Sequence, residues 1–203
     1  MPRPECYVST DIETDGPIPG PYSLLGLASV AYDLDGRPVG EFSVNLEPLP
    51  GAGVHPDTAA FFAQHPAAWA ALQQDRRAPA AAMTDYAAWL RALPGEPVFV
   101  AYPAGFDFTF VYWYLIHFTG GSPFGFAALD MKSYAMAVLK RPFRATTKKA
   151  MPGRWFPEGL PHTHVALDDA REQGGIFLAM RRENLANQRE TEAGPVPEGA
   201  PRG

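Results

Sequence analysis

Five residues carry the chemistry this sequence could perform: Asp11, Glu13, Asp107, His164 and Asp169. Asp11 and Glu13 stand two positions apart in VSTDIETDGP, a stretch that otherwise reads as a buried strand. Side chains at i and i+2 of a strand share a face, so both carboxylates point the same way near the strand's end. Ionised carboxylates this close repel, and burial disfavours both. A divalent cation taking oxygen ligands would resolve the conflict. Two ordinary surface acids at a fraying strand end would fit the same pattern. Asp107 is the one charged residue in VFVAYPAGFDFTFVYWYL and opens an aromatic helix just after the Pro103–Gly105 turn. It could simply answer the helix dipole, but its apolar neighbours Phe106 and Phe108 argue against an open surface. In HTHVALDDAREQG, His164 precedes Asp169 by five residues, in a loop before a helix expected from Leu167. Asp168 or Asp169 could cap that helix. A neutral imidazole, with an ordinary pKa of about 6.5, could take a proton from a water held by a metal.

Elements must bring these residues together. Tyr7–Ile12, Ser23–Asp33 and Glu41–Leu46 read as strands, with Asp35-Gly36 marking a hairpin turn between the second and third. Thr58–Leu72 and Thr84–Leu93 carry helical spacing on either side of an Arg77–Ala82 linker. Pro97–Tyr102 is a short apolar strand. Phe106–Phe118 is a helix so aromatic on every side that it requires deep burial or an interface. Leu129–Leu139 reads as a helix, Arg141–Pro161 as a Pro/Gly-rich loop, and Leu167–Leu185 as a final helix. Three antiparallel strands followed by alternating helices and strands predict an α/β domain with a mixed central sheet flanked by helices. One domain is expected over 1–186, with a disordered tail over 187–203.

The totals exclude several classes. With 203 residues, 46% hydrophobic and 19% charged, the chain suits one domain with a packed core. No apolar run approaches the roughly 18 residues of a membrane span, and the N-terminus lacks a signal-peptide core. A single cysteine, Cys6, rules out an internal disulfide and a Cys-cluster zinc site, and makes the cytoplasm the default. The preference for Arg over Lys, with abundant Ala and Pro, points to a GC-rich bacterial genome. Net charge is −5, yet residues 131–157 hold no acid and seven of the 17 basic residues. That window is either a solvated loop or a local footprint for phosphates.

The set resembles the histidine-bearing (DEDDh) branch of the DEDD superfamily of 3′→5′ exonucleases, which includes proofreading subunits, oligoribonuclease and RNase T. The residues that carry the resemblance are Asp11-Ile-Glu13-Thr14, then Phe106-Asp107, then His164-Val-Ala-Leu-Asp168-Asp169-Ala170. It covers roughly residues 5 to 182. It implies the ribonuclease H-like fold and two divalent ions, Mg²⁺ or Mn²⁺, held by Asp11, Glu13, Asp107 and Asp169. It also implies His164 as general base and release of nucleoside 5′-monophosphates. The family spacing favours Asp169 over Asp168. Many relatives carry Asn four residues before the Phe-Asp aspartate; here Pro103 stands there.

The resemblance also suggests how substrate is held. Thr14, Gly16 and Tyr22 border the acids in a Pro/Gly-stiffened loop. Thr58, Phe61 and Phe62 look like a segment of bacterial exoribonucleases that offers an aromatic ring to a base, and this tilts the expectation towards single-stranded RNA over DNA. Phe106 is a further candidate contact. Lys148 and Lys149 could follow the substrate backbone, on a loop expected to order as a flap. A DNA repair or proofreading exonuclease is the alternative within the same chemistry. A nuclease-like module that binds nucleic acid without cleaving is the alternative outside it. Relatives are often homodimers, and the aromatic helix is compatible with that.

Overall fold

The computed structural model describes residues 3–159 and 165–193. Five strands form one mixed sheet in the order β3-β2-β1-β4-β5. β1 is Glu5–Thr14, β2 Leu24–Tyr32, β3 Pro38–Asn45, β4 Glu96–Ala101 and β5 Ala128–Asp130. β1 to β3 are antiparallel neighbours, whereas β1, β4 and β5 run parallel. β1 is therefore central. Cys6, Val8 and Ile12 face one core, packed by α3 (Pro79–Ala92) and α4 (Ala104–Thr119). Tyr7 faces the other, packed by α5 (Met131–Leu139) and α6 (Ala166–Ala193). Ser9, Asp11 and Glu13 follow Tyr7 on that second face by strand alternation.

Several expectations need correction. The helix expected over Thr58–Leu72 is two, α1 (Pro56–Gln64) and α2 (Pro66–Leu72), because Pro66 lacks the N–H that would continue the first. α3 begins at Pro79, inside the expected linker; proline is well placed in a first turn. Leu129–Leu139 is not all helix. Ala128–Asp130 pairs with β4 as the fifth strand, and Asp130 then caps α5, its Oδ1 accepting from Ser133 N at 2.7 Å. α6 runs to Ala193, past the expected end at Leu185.

The basic segment after α5 is anchored on α6 and not simply a loop. Three 3₁₀ turns, Phe143–Ala145, Lys148–Ala150 and Gly153–Trp155, carry it across α6. Thr146, Met151 and Trp155 are buried beneath it. Trp155 Nε1 and the Arg154 guanidinium both donate to Glu183 on α6. A tryptophan's large apolar area outweighs the Pro/Gly content in deciding whether such a segment stays down.

Two tight approaches set the site's frame. A Cβ on Gly174 of α6 would lie 2.5 Å from the Tyr32 ring, so only glycine lets the helix press this closely on β2. Gln173 beside it donates to Thr10 O at 2.9 Å and accepts from Tyr102 N at 2.8 Å. One amide thus joins α6 to β1 and to the end of β4.

Candidate active site

Because β1 and β4 are parallel, their carboxyl ends share one edge of the sheet. Asp11 and Glu13 lie at that edge on β1. The turn after β4 starts α4 there, which places Asp107 in its first turn. Pro103, standing where many relatives carry Asn, is the N-cap of α4, and Asp130 Oδ2 accepts from Ala104 N at 3.0 Å. α6, fixed by Gln173, brings Asp169 to the same edge.

Asp11, Glu13 and Asp169 each present a ligand atom within 4.8 Å of the others. Asp169 is 3% exposed and Asp107 6%. Asp107 stands outside the trio, yet its charge reaches both β1 acids. Burial, then the charges of Asp107, Glu13 and Asp169, holds Asp11 well above the usual carboxylate range, with Lys148 pulling the other way. Glu13 is pushed up to about 8, by burial first and then by Asp169 and Asp107. Asp107 is raised to about 7 by burial, against hydrogen bonds from its own amide and that of Ile12. Clustered, buried, mutually repelling oxygen donors suit a hard divalent cation, which would let them ionise together. Asp168 points away and pairs with Arg171 at 3.2 Å, with about half its side chain exposed.

Two cavities flank the acids. One, of about 280 Å³, is lined by Ile12, Glu13, Thr14, Asp57, Thr58, Phe61, Phe62 and Phe106. Phe62 is buried against Leu25 and Leu72, while Phe61 is turned outward at 36% exposure, its ring edge-on to Phe62. The other, of about 490 Å³, is lined by Asp11 and Asp169 together with Lys148, Lys149, Tyr102, Met151 and Glu172, among others. Thr14 also closes its own turn, donating to Gly16 O at 2.9 Å. Tyr22 lies flat over Gly16, where a Cβ would be 2.2 Å from the ring, and neither residue lines either cavity. His164 lies outside the described residues. Sequence reasoning missed Glu172 and Gln173, buried polar residues on a helix whose partners are remote in the chain. It also missed Asp15, buried and accepting from Ser23 N to close the β1–β2 loop.

No family model matches the chain. Among solved structures, the nuclease domain of 3′hExo, a DEDDh family member, bound to rAMP, superposes with a TM-score of 0.60 at 11% identity, over 88% of this chain and 92% of that one. E. coli Exonuclease I in complex with a dT13 oligonucleotide gives 0.65 at 14%, over 91% of this chain but 43% of that larger one. The fold is thus the ribonuclease H-like exonuclease fold. The 3′-5′ DNA exonuclease Cap18 of Escherichia coli is 34% identical over 184 residues, 85% of this chain and 90% of that protein. The chain belongs to the DEDDh 3′–5′ exonuclease family. Membership gives the carboxylate cluster its meaning: it implies divalent metal dependence, and Asp11, Glu13 and Asp169 form a cluster that could hold an ion. No helix among the described residues is long and apolar enough to cross a membrane.

Proposed function

We propose that this protein is a 3′→5′ exonuclease that removes nucleoside 5′-monophosphates from single-stranded 3′ ends, with DNA as the favoured polymer. The convergence of Asp11, Glu13 and Asp169 within 4.8 Å carries the proposal. The sequence tilt towards RNA rested on Thr58, Phe61 and Phe62, and an outward phenylalanine stacks on a base of either polymer. The 34% identity to a protein named a DNA exonuclease shifts the reading to DNA.

In this mechanism Asp11, Glu13, Asp107 and Asp169 would hold two divalent ions, Mg²⁺ or Mn²⁺. When bound, the ions supply the positive charge that makes a water nucleophilic at neutral pH and stabilises the leaving 3′-oxygen. Phe61 and Phe106 hold the terminal base in the 280 Å³ cavity beside Glu13. Thr14 borders the sugar, and Gly16 and Tyr22 keep the loop that carries it in place. Lys148 and Lys149 attract the backbone from the 490 Å³ cavity. His164 accepts the proton of the attacking water. The buried free thiol of Cys6 suits work in the cytoplasm. A second copy of the chain could cover the outward face of α4, where Tyr112, Trp113 and Ile116 keep exposed surface.

The test is a 5′-labelled single strand, as DNA and as RNA, with Mg²⁺, Mn²⁺ or EDTA. A metal-dependent ladder shortening from the 3′ end, faster on DNA, is expected. Faster loss of RNA would restore the ribonuclease reading, and no shortening of either would overturn the proposal.

A further inference from the structure

Glu172 lies one turn beyond Asp169 on α6 and is buried, yet it faces the acid cluster's own cavity. A fifth carboxylate beside four others should repel a phosphate and is costly to bury unserved. Its Oε2 accepts from Lys148 Nζ at 2.6 Å. Three other basic residues of that segment are differently employed. Arg154 is held by Glu183, Lys132 lies 4.3 Å over the Phe143 ring, and Arg141 reaches Ala150 O. Lys149 lines the same cavity but is exposed, whereas Lys148 is half-buried.

The backbone beneath Lys148 is also held. Tyr102 Oη donates to Thr146 O at 3.0 Å, and Met151 N donates to Lys148 O at 3.2 Å. An ammonium has three donors. With one taken by Glu172, and no other partner for Nζ among the described residues, the others are left for the cavity that Asp11 and Asp169 also line.

We infer that Lys148, aimed by Glu172, binds a non-bridging oxygen of the scissile phosphate, and that Glu172 is its positioning residue. The inference rests on the exonuclease reading above and narrows it, because Lys148 is assigned to the reacting phosphate rather than to the backbone upstream. Its charge is already felt at Asp11, where it opposes the effect of burial. Glu172 also offsets the lysine's charge before substrate arrives.

The experiment compares two substrates on the full chain with Mn²⁺: a single-stranded oligonucleotide, and thymidine 5′-monophosphate p-nitrophenyl ester, which has a scissile phosphate and no upstream backbone. Lys148→Met should lower kcat/KM about 10- to 100-fold on both, the worth of one charge-assisted hydrogen bond. Lys148→Gln keeps a hydrogen bond to Glu172 without the charge and gives the same reading should Lys148→Met unfold. Glu172→Gln should lower kcat less, and Lys148→Met/Glu172→Gln should remain as impaired as Lys148→Met. Loss on the oligonucleotide with wild-type hydrolysis of the ester would overturn the inference and return Lys148 to the upstream backbone. So would a double variant that regains wild-type kcat/KM, the mark of a merely structural pair. Wild-type protein inactive on both substrates would instead sink the exonuclease reading itself.

Discussion

The two cavities beside the carboxylates are built from different materials. The smaller one, next to Glu13, has aromatic walls from Phe61, Phe62 and Phe106 and, among the described residues, no lysine or arginine. The larger one, next to Asp11 and Asp169, carries Lys148 and Lys149 on a segment pinned to α6. A polymer end has two chemically distinct parts, an apolar base and an anionic phosphate. On the proposed exonuclease reading, the contrast teaches that the acids would divide a base-facing side from a phosphate-facing side, orienting the strand without reading its sequence.

The largest expected effect tests what both sides share. Asp11→Asn or Asp169→Asn should reduce kcat by at least about 10³-fold, on the order of 4 kcal/mol in the barrier, with the fold intact by circular dichroism. A smaller loss would mean that the cavities flank something other than the reacting centre. Next, Gly174→Ala should lower stability by about 1–3 kcal/mol through collision with Tyr32, measured by urea denaturation. It should disturb the lysine cavity, whose wall is α6, and leave the aromatic one alone.

The comparison is sharpened most directly by salt. Phe61→Ala should weaken oligonucleotide binding by about 1–3 kcal/mol with an unchanged dependence on salt. Lys149→Ala should weaken it less and flatten the log–log salt slope by about 0.7, the single-strand value for one phosphate. Equal salt slopes in the two variants would break the division into base and phosphate sides.

Stability against pH gives a subtler test. Folded Glu13 keeps its proton to about pH 8, and Asp107 to about pH 7. Unfolded carboxyls lose theirs near about 4. The folded state binds more protons in between, so this contribution is complete below about pH 4 and is lost as pH rises towards 8. Metal-free protein in EDTA should therefore show a Tm that falls across that window, and saturating Mg²⁺ should flatten the fall. The smallest effect belongs to Asp168→Asn, within about twofold in kcat, since that acid faces Arg171 and solvent.

What could be read from sequence follows a physical line. The strand carrying Asp11 and Glu13, the helix opening at Asp107 and the first-turn position of Asp169 were legible, because alternation and helix starts are local signals. The choice of Asp169 over Asp168 came from family spacing; the structure buries Asp169 and leaves about half of the Asp168 side chain exposed. β5 was not legible, since three residues leading straight into a helix carry no period of their own. Nor was the pinned loop. Its prolines and glycines are visible in one dimension, but the burial of Trp155 and the grip of Glu183 are contacts across the fold. Glu172 and Gln173 fail for the same reason, because a polar pair on a helix reads as a solvated face until its partners are known. Phe61 and Phe62 fall between: the sequence offered a ring for a base without saying which, and the structure shows that Phe62 turns inward while Phe61 stays exposed.

Gln173 ties the last helix to the first strand, and this has a consequence for synthesis. Asp11 is made well before Asp169, so the carboxylate cluster cannot close until α6 has been made. A chain interrupted before α6 carries the first acids without the helix that completes them. On the proposed exonuclease reading, cleavage would be withheld from a chain that still lacks α6 by topology alone, without an inhibitor.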